Sequence, residues 1–252
     1  MVSETVKEFI YLFVSEFVAT AIFIFVGCSS YVIGPIRPYS DFVIELIFGL
    51  IIMLDLNTFG HLSGSYLNPI IGITAAILKM ITPQKAILYS VAEILGSIAG
   101  FFLLRLVTPK IHQPGLCTIN PHPDITPFMA VFVELIYTSI LIVYLCSVWD
   151  VNNIDLIIFA PFRIGIIVTC LALAAGPYSG GCMNPARVIG PALYNGDWEN
   201  HWVYWVGPLL ASIVSPYLYK SLFVNAKFPV APEYKSAVQT PNVENQSQAE
   251  DV

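Results

Sequence analysis

The sequence is poor in charge. Only 11% of its 252 residues are Asp, Glu, Lys or Arg, 56% are hydrophobic, and the mean hydropathy is +0.74. Soluble domains carry about 25% charged residues, so most of this surface cannot face water. That composition excludes an ordinary soluble domain and points to an integral membrane protein. Cysteine is sparse as well. Cys28, Cys117, Cys146, Cys170 and Cys182 are scattered, mostly within apolar runs. They show no paired or metal-ligand spacing. A basic leader is also missing from the start, MVSETVKEF. The apolar run behind it exceeds a signal-peptide core of about 7–15 residues, so the first apolar segment is expected to stay in place.

What the chain does have is long apolar runs, near 9–33, 42–59, 86–107, 128–149, 156–176 and 202–223. A helix needs roughly 20 residues to cross ~30 Å of hydrocarbon, so six spans fit with short loops left over. The expected class is an all-α membrane protein in one domain, 1–252. Orientation follows from Lys and Arg. With the N-terminus inside, Lys7, Lys79, Lys85, Arg163, Lys220, Lys227 and Lys235 fall near the cytoplasm, against Arg37, Arg105 and Lys110 outside. Both termini are therefore expected in the cytoplasm, and Arg187 remains to be explained. The net charge of −6 comes partly from the polar tail, 224–252, which contains TPNVENQSQAEDV and reads as disordered.

Two stretches repeat. GHLSGSYLNPIIG (60–72) and YSGGCMNPARVIG (178–190) each carry Ser-Gly, three residues, then Asn-Pro. Upstream, SEFVATAIFIFVG (15–27) has a partner in VELIYTSILIVYLC (133–146), with Glu16 and Glu134 in matching places. Each half, about 9–107 and 126–223, therefore reads span, span, Asn-Pro segment, span. Three spans per half is odd, so the second half must enter from the opposite face. Inverted repeats of this kind place their site near the midplane, at the pseudo-two-fold axis.

The Asn-Pro pair has a mechanism. Asn is a strong helix N-cap, and Pro is favoured at the first helical position. Asn68-Pro69 and Asn184-Pro185 thus each start a helix. The segments 68–80 and 184–195 offer about a dozen residues, or roughly 18 Å at 1.5 Å per residue, about half of the hydrocarbon. Each is expected to be a re-entrant half-helix, and the backbone before each Asn must line a polar cavity, since lipid cannot satisfy it. Two half-helix N-termini meeting at the midplane carry about half a positive charge each. Such a centre repels cations, and the Asn68 and Asn184 amides can donate to an acceptor oxygen on a neutral molecule.

Over about 9–223 these residues resemble the aquaporin (major intrinsic protein) family. NPAR (184–187), HWVYWVGP (201–208), IFGL (47–50), GHLSG (60–64) and the paired Glu16 and Glu134 carry the likeness. The first motif departs from it, with Ile70 where the family usually has alanine; the second keeps Ala186. The resemblance implies six spans plus two half-helices, a homotetramer with one pore per subunit, and passive diffusion with no cofactor. It also implies a filter at the outer mouth formed by Phe48, Ala172, Gly181 and Arg187. Ala172 stands where water-selective members have histidine, and Gly181 where many have cysteine. With Phe48 these small residues imply a wide filter with one apolar wall facing the Arg187 donors, similar to that of insect glycerol-conducting aquaporins. Such a wall suits glycerol or urea beside water. Yet Val188 occupies the position where the family's usual glycerol facilitators carry aspartate, so a strictly water-selective pore stays open.

Glu16 and Glu134 are read as holding loop amides rather than shuttling protons, and His61 as fixing the loop before the first motif. Ile70 is expected to pack where the half-helices abut. Trp149, Trp198, Trp202 and Trp205 read as interfacial anchors, and Tyr66 as an inner-pore or packing residue. The expected partners are water, small uncharged solutes and the lipid bilayer of the plasma membrane; no metal, nucleic acid or enzymatic activity is expected. Two other classes remain. A secondary transporter would need a coupling-ion site, yet the carboxylates are not clustered at the motifs. A non-conducting adhesion or scaffold protein with this fold draws on Ile70.

Overall fold

The computed structural model describes residues 4–32, 40–223 and 225–229, and no strand occurs among them. Eight α-helices follow in order: α1 Glu4–Val32, α2 Asp41–Ser63, α3 Pro69–Ile77, α4 Pro83–Val107, α5 Pro127–Trp149, α6 Ala160–Ser179, α7 Pro185–Asn195 and α8 Val203–Leu222. Four of them start in the same way, with a polar cap before a proline. Thr82 Oγ1 accepts from Lys85 N, Thr126 Oγ1 from Met129 N, Asn68 Oδ1 from Ile70 N, and Asn184 Oδ1 from Ala186 N. Each cap satisfies a donor left over in the first turn, and each proline removes another.

Among the described residues, five helical stretches are long and apolar enough to cross a membrane: Val6–Val32, Asp41–Ser63, Pro83–Val107, Pro127–Trp149 and Val151–Ser179. The sixth expected span, α8, has 20 residues. Its tyrosines, serines and prolines dilute its apolarity, and it packs along α5 just as α4 packs along α1. The two half-helices are short, at 9 residues in α3 and 11 in α7. Large apolar side chains such as Ile87, Leu103, Phe132, Ile158 and Val214 are exposed. Such a surface is the contact expected with lipid.

The packing repeats between the halves. α1 meets α2 and α4, as α5 meets α6 and α8, while α3 reaches α8 and α7 reaches α4. Where the halves join, α2 crosses α6 backbone to backbone. A Cβ on Gly49 would lie 2.4 Å from the Gly165 carbonyl oxygen, and one on Gly165 would lie 2.7 Å from that of Gly49. Only glycine allows the two helices to come this close.

Three expectations change. Cys28 and Cys117 form a disulfide, with Cα atoms 5.3 Å apart at a sequence separation of 89. A separation that long leaves no local spacing to notice. The tail was expected to be disordered from 224, but its described part, 225–229, is held. Lys227 N donates to Asp150 Oδ1, Val151 N to the Lys227 carbonyl, and Asn152 Nδ2 to the Asn225 carbonyl. Arg37 and residues 230–252 lie outside the described residues.

Ile70 is the third. It is 2% exposed and belongs to a cluster with Ile142, Cys146, Ala211 and Tyr219 of α5 and α8. The side chain thus faces the supporting wall, and its neighbour Ile71 lines the cavity described next. Ile70→Ala should therefore cost about 2–5 kcal/mol of stability while leaving conduction per folded channel unchanged. Thermal unfolding in detergent, read beside flux per channel, checks this.

Candidate functional site

Each half-helix is preceded by a strip of strained backbone, and the two strips match residue for residue. Gly64, Ser65 and Leu67 have φ of 102°, 50° and 59°, and Gly180, Gly181 and Met183 have 89°, 63° and 53°. Left-handed conformations at non-glycine residues cost about 1–3 kcal/mol and persist only where the surroundings hold them. Two buried carboxylates do so. Glu16 accepts from Tyr66 N at 3.1 and 3.0 Å and from Leu67 N at 3.2 Å. Glu134 accepts from Cys182 N at 3.0 Å, Met183 N at 2.7 Å and Ser179 Oγ at 2.6 Å. Two tyrosines repeat the symmetry, with the Tyr89 hydroxyl donating to the Ser63 carbonyl and that of Tyr204 to the Ser179 carbonyl.

The two motifs also bind each other. Asn68 Nδ2 donates to the Met183 carbonyl at 2.9 Å, and Asn184 Nδ2 to the Leu67 carbonyl at 2.8 Å. The half-helix N-termini therefore abut. A carboxamide nitrogen has two N–H groups, so one fastens the opposite motif and one is left to face the cavity.

That cavity has a volume of about 400 Å³ and passes both asparagines. On α2 its lining runs through Glu45, Phe48, Ile52, Leu56, Gly60 and His61; on α6 it runs through Ala160, Ile164, Val168 and Ala172. From Glu45 to His61 is ~24 Å of helix at 1.5 Å per residue, most of a bilayer core. Its walls are chiefly apolar, and the two Asn-Pro strips supply the polar face.

Phe48, Ala172, Gly181 and Arg187 all line one end of it. The Arg187 guanidinium lies 4.9 Å from the centre of the Phe48 ring and 5.7 Å from that of Tyr31. Its Nη1 donates to the Cys117 carbonyl at 2.8 Å and its Nη2 reaches the Tyr31 hydroxyl at 3.4 Å. Val188 faces away, buried with Cys182, Val203 and Tyr204. Gly181 is small for a second reason: a Cβ there would lie 2.6 Å from the Ala172 carbonyl oxygen, at a φ of 63°. Gly181→Cys should push the strip off α6 and cost about 1–3 kcal/mol, read as a lower unfolding temperature. Cysteine at 181 is thus not a simple way to narrow this pore.

His61, expected to fix the loop, is exposed at the other end and makes no side-chain hydrogen bond among the described residues. The loop is held instead by Glu16 and by Glu93, whose Oε1 accepts from Asn68 N at 3.0 Å. Trp149, read as an interfacial anchor, lines the cavity beside Tyr66, ring centres 6.1 Å apart. Two residues at the filter end went unnoticed: Tyr31, whose hydroxyl Arg187 reaches, and Glu45, which lines the cavity. Glu93 and Glu45 each stand as a carboxylate inside an apolar run, which needs a partner; Tyr31 carried no such signal. Among the described residues no group of three or more His, Cys, Asp or Glu is placed to hold a metal.

Residues 3–219 match the family described as Major intrinsic protein. The chain belongs to the major intrinsic protein family. Members of this family are channels. Over 214 residues it is 36% identical to aquaporin-4 of Mus musculus, covering 83% of this chain and 66% of that protein; it thus spans just under two thirds of that relative. A probable aquaporin of TIP type from Antirrhinum majus is 32% identical over 227 residues, covering 86% of this chain and 89% of the other. The X-ray structure of the aquaglyceroporin from Plasmodium falciparum aligns with a TM-score of 0.69 at 21% identity, over 86% of this chain and 96% of that one. At that identity the likeness concerns the fold of this major intrinsic protein, with its abutting half-helices.

Proposed function

We propose that this chain is a passive, proton-excluding pore for water that also admits small uncharged solutes such as glycerol or urea. The observation that carries the reading is the filter end of the cavity, where Phe48 and the small Ala172 leave an apolar wall beside the Arg187 guanidinium, which rests on the Phe48 ring. A polyol can lay its carbons on that wall and give its hydroxyl oxygens to Arg187 and then to the free Asn68 and Asn184 N–H groups. Water uses the same donors. A cation meets two positive helix ends and a guanidinium in a narrow, low-dielectric passage, and a proton wire is broken where both asparagines orient the passing oxygen. Nothing in this route needs a coupled ion or a covalent step.

The same reading takes the protein as a homotetramer with one pore per subunit, in the plasma membrane with both termini in the cytoplasm. The assay is glycerol and urea entry into proteoliposomes beside osmotic water flow, each per channel. Solute entry linear in concentration and independent of ion gradients supports the wide pore. Water flow without either solute supports the strictly water-selective pore instead, and saturable, gradient-driven entry supports a transporter.

A further inference from the structure

The disulfide and the shortest hydrogen bond of the filter arginine meet in one residue. Cys117, in the loop between α4 and α5, is fully buried and bonded through sulfur to Cys28 of α1. Its carbonyl accepts from Arg187 Nη1 at 2.8 Å. Its φ is 58°, a conformation that a non-glycine residue keeps only when its surroundings impose it. The other partner of Arg187, the Tyr31 hydroxyl, is farther away at 3.4 Å and lies on α1 one turn beyond Cys28. The loop then continues to Ile119, which lines the cavity.

We propose that the Cys28–Cys117 bridge is a positioning element that determines solute specificity, acting through the Cys117 carbonyl on Arg187. The proposal rests on the reading of the cavity as a solute pore. The bridge ties the loop carbonyl to α1, so the guanidinium stays over the Phe48 face and out of the permeation path. Without it the carbonyl loses its fixed place, and a guanidinium with one long hydrogen bond turns toward water in the cavity. A guanidinium in the passage obstructs a three-carbon solute more than it obstructs water, and it no longer offers its donors where the solute needs them. The loop itself keeps other ties. Asn195 Nδ2 donates to the Leu116 carbonyl at 2.9 Å and to Thr118 Oγ1 at 2.8 Å, and Leu116 and Cys117 pack with Phe23 and Phe101. Loss of the bridge should therefore move the arginine without unfolding the channel.

The test uses the full chain in proteoliposomes, with wild type beside the Cys28→Ser/Cys117→Ser double variant. It reads glycerol permeability, water permeability and the temperature dependence of water flow, each per channel. The ratio of water to glycerol permeability should rise about tenfold, the scale of one displaced charge-assisted hydrogen bond, and water flow should become more steeply temperature-dependent. Reducing the wild-type bridge to two thiols with a phosphine, which takes up oxygen from water to become its oxide, should reproduce the shift. Reoxidation should reverse it, and the double variant should not respond. The proposal is overturned if ratio and temperature dependence are unchanged in the double variant. It is equally overturned if both per-channel fluxes fall together with unchanged temperature dependence, the signature of a general obstruction rather than a displaced arginine. If wild type passes water but no glycerol, the wide-filter reading fails on its own, and the temperature dependence still decides the role of the bridge.

Discussion

Ala172→His should cut glycerol permeability at least about tenfold while leaving water permeability within about threefold of wild type, since small changes of size in a fitted pocket discriminate by about 10–200-fold. Ala172 sits on the stripe of α6 that follows the cavity, 4% exposed, at the end where Phe48 and Arg187 also line it. An imidazole there fills space that the carbon backbone of glycerol needs. It also adds a polar nitrogen near the Arg187 donors, which a water molecule can use and a carbon chain cannot. The Gly181 strip already lies against the backbone of residue 172, so the ring must extend into the cavity rather than retreat into the loop. Isotope uptake beside osmotic shrinkage, both per channel, checks the result. Equal loss of both fluxes would show that the substitution blocks the pore, and a wild type closed to glycerol and urea would leave a water-selective pore.

The largest effect on stability is expected at Glu134. Its carboxylate accepts from Ser179 Oγ, Cys182 N and Met183 N, and the residue is fully buried. Glu134→Ala leaves three buried donors without an acceptor, at about 1–3 kcal/mol each. That total rivals the whole margin of a typical domain, about 5–15 kcal/mol. The same donors hold the left-handed turn at Met183, whose carbonyl receives the Asn68 amide, so the fault spreads to the opposite motif. Glu134→Ala should yield little folded protein. Glu134→Gln keeps one acceptor oxygen but turns an N–H toward a donor, and should fold with a lowered unfolding temperature. A carboxylate that only relayed protons would show the reverse, with stable variants of altered proton leak.

Much of this arrangement was legible because it occurs twice. The Asn-Pro pairs and the matching Glu16 and Glu134 carry their mechanisms locally: a cap, a missing N–H, a carboxylate that cannot stay alone in lipid. Residues whose roles depend on which way a side chain turns were harder to read. Ile70 and Ile71 are neighbours of the same type, yet only Ile71 lines the cavity, because a helix turns them about 100° apart. Trp149 looks like an anchor at the end of a span, yet its ring lies against Tyr66 and lines the cavity. The Cys28–Cys117 bridge joins a span to a distant loop, and no local pattern announces such a contact. Gly181 reads as missing bulk in the filter, whereas the close approach of Ala172 makes it a packing requirement as well.

A passive pore of the proposed kind passes water and refuses protons. Osmotic shrinkage of proteoliposomes holding the full chain, recorded together with the decay of an imposed pH gradient in the same vesicles, tests it most directly. Shrinkage should be clearly faster than in empty liposomes while the gradient decays no faster than in the empty control. Shrinkage equal to that of empty liposomes, or a gradient that collapses with the water flow, would contradict it.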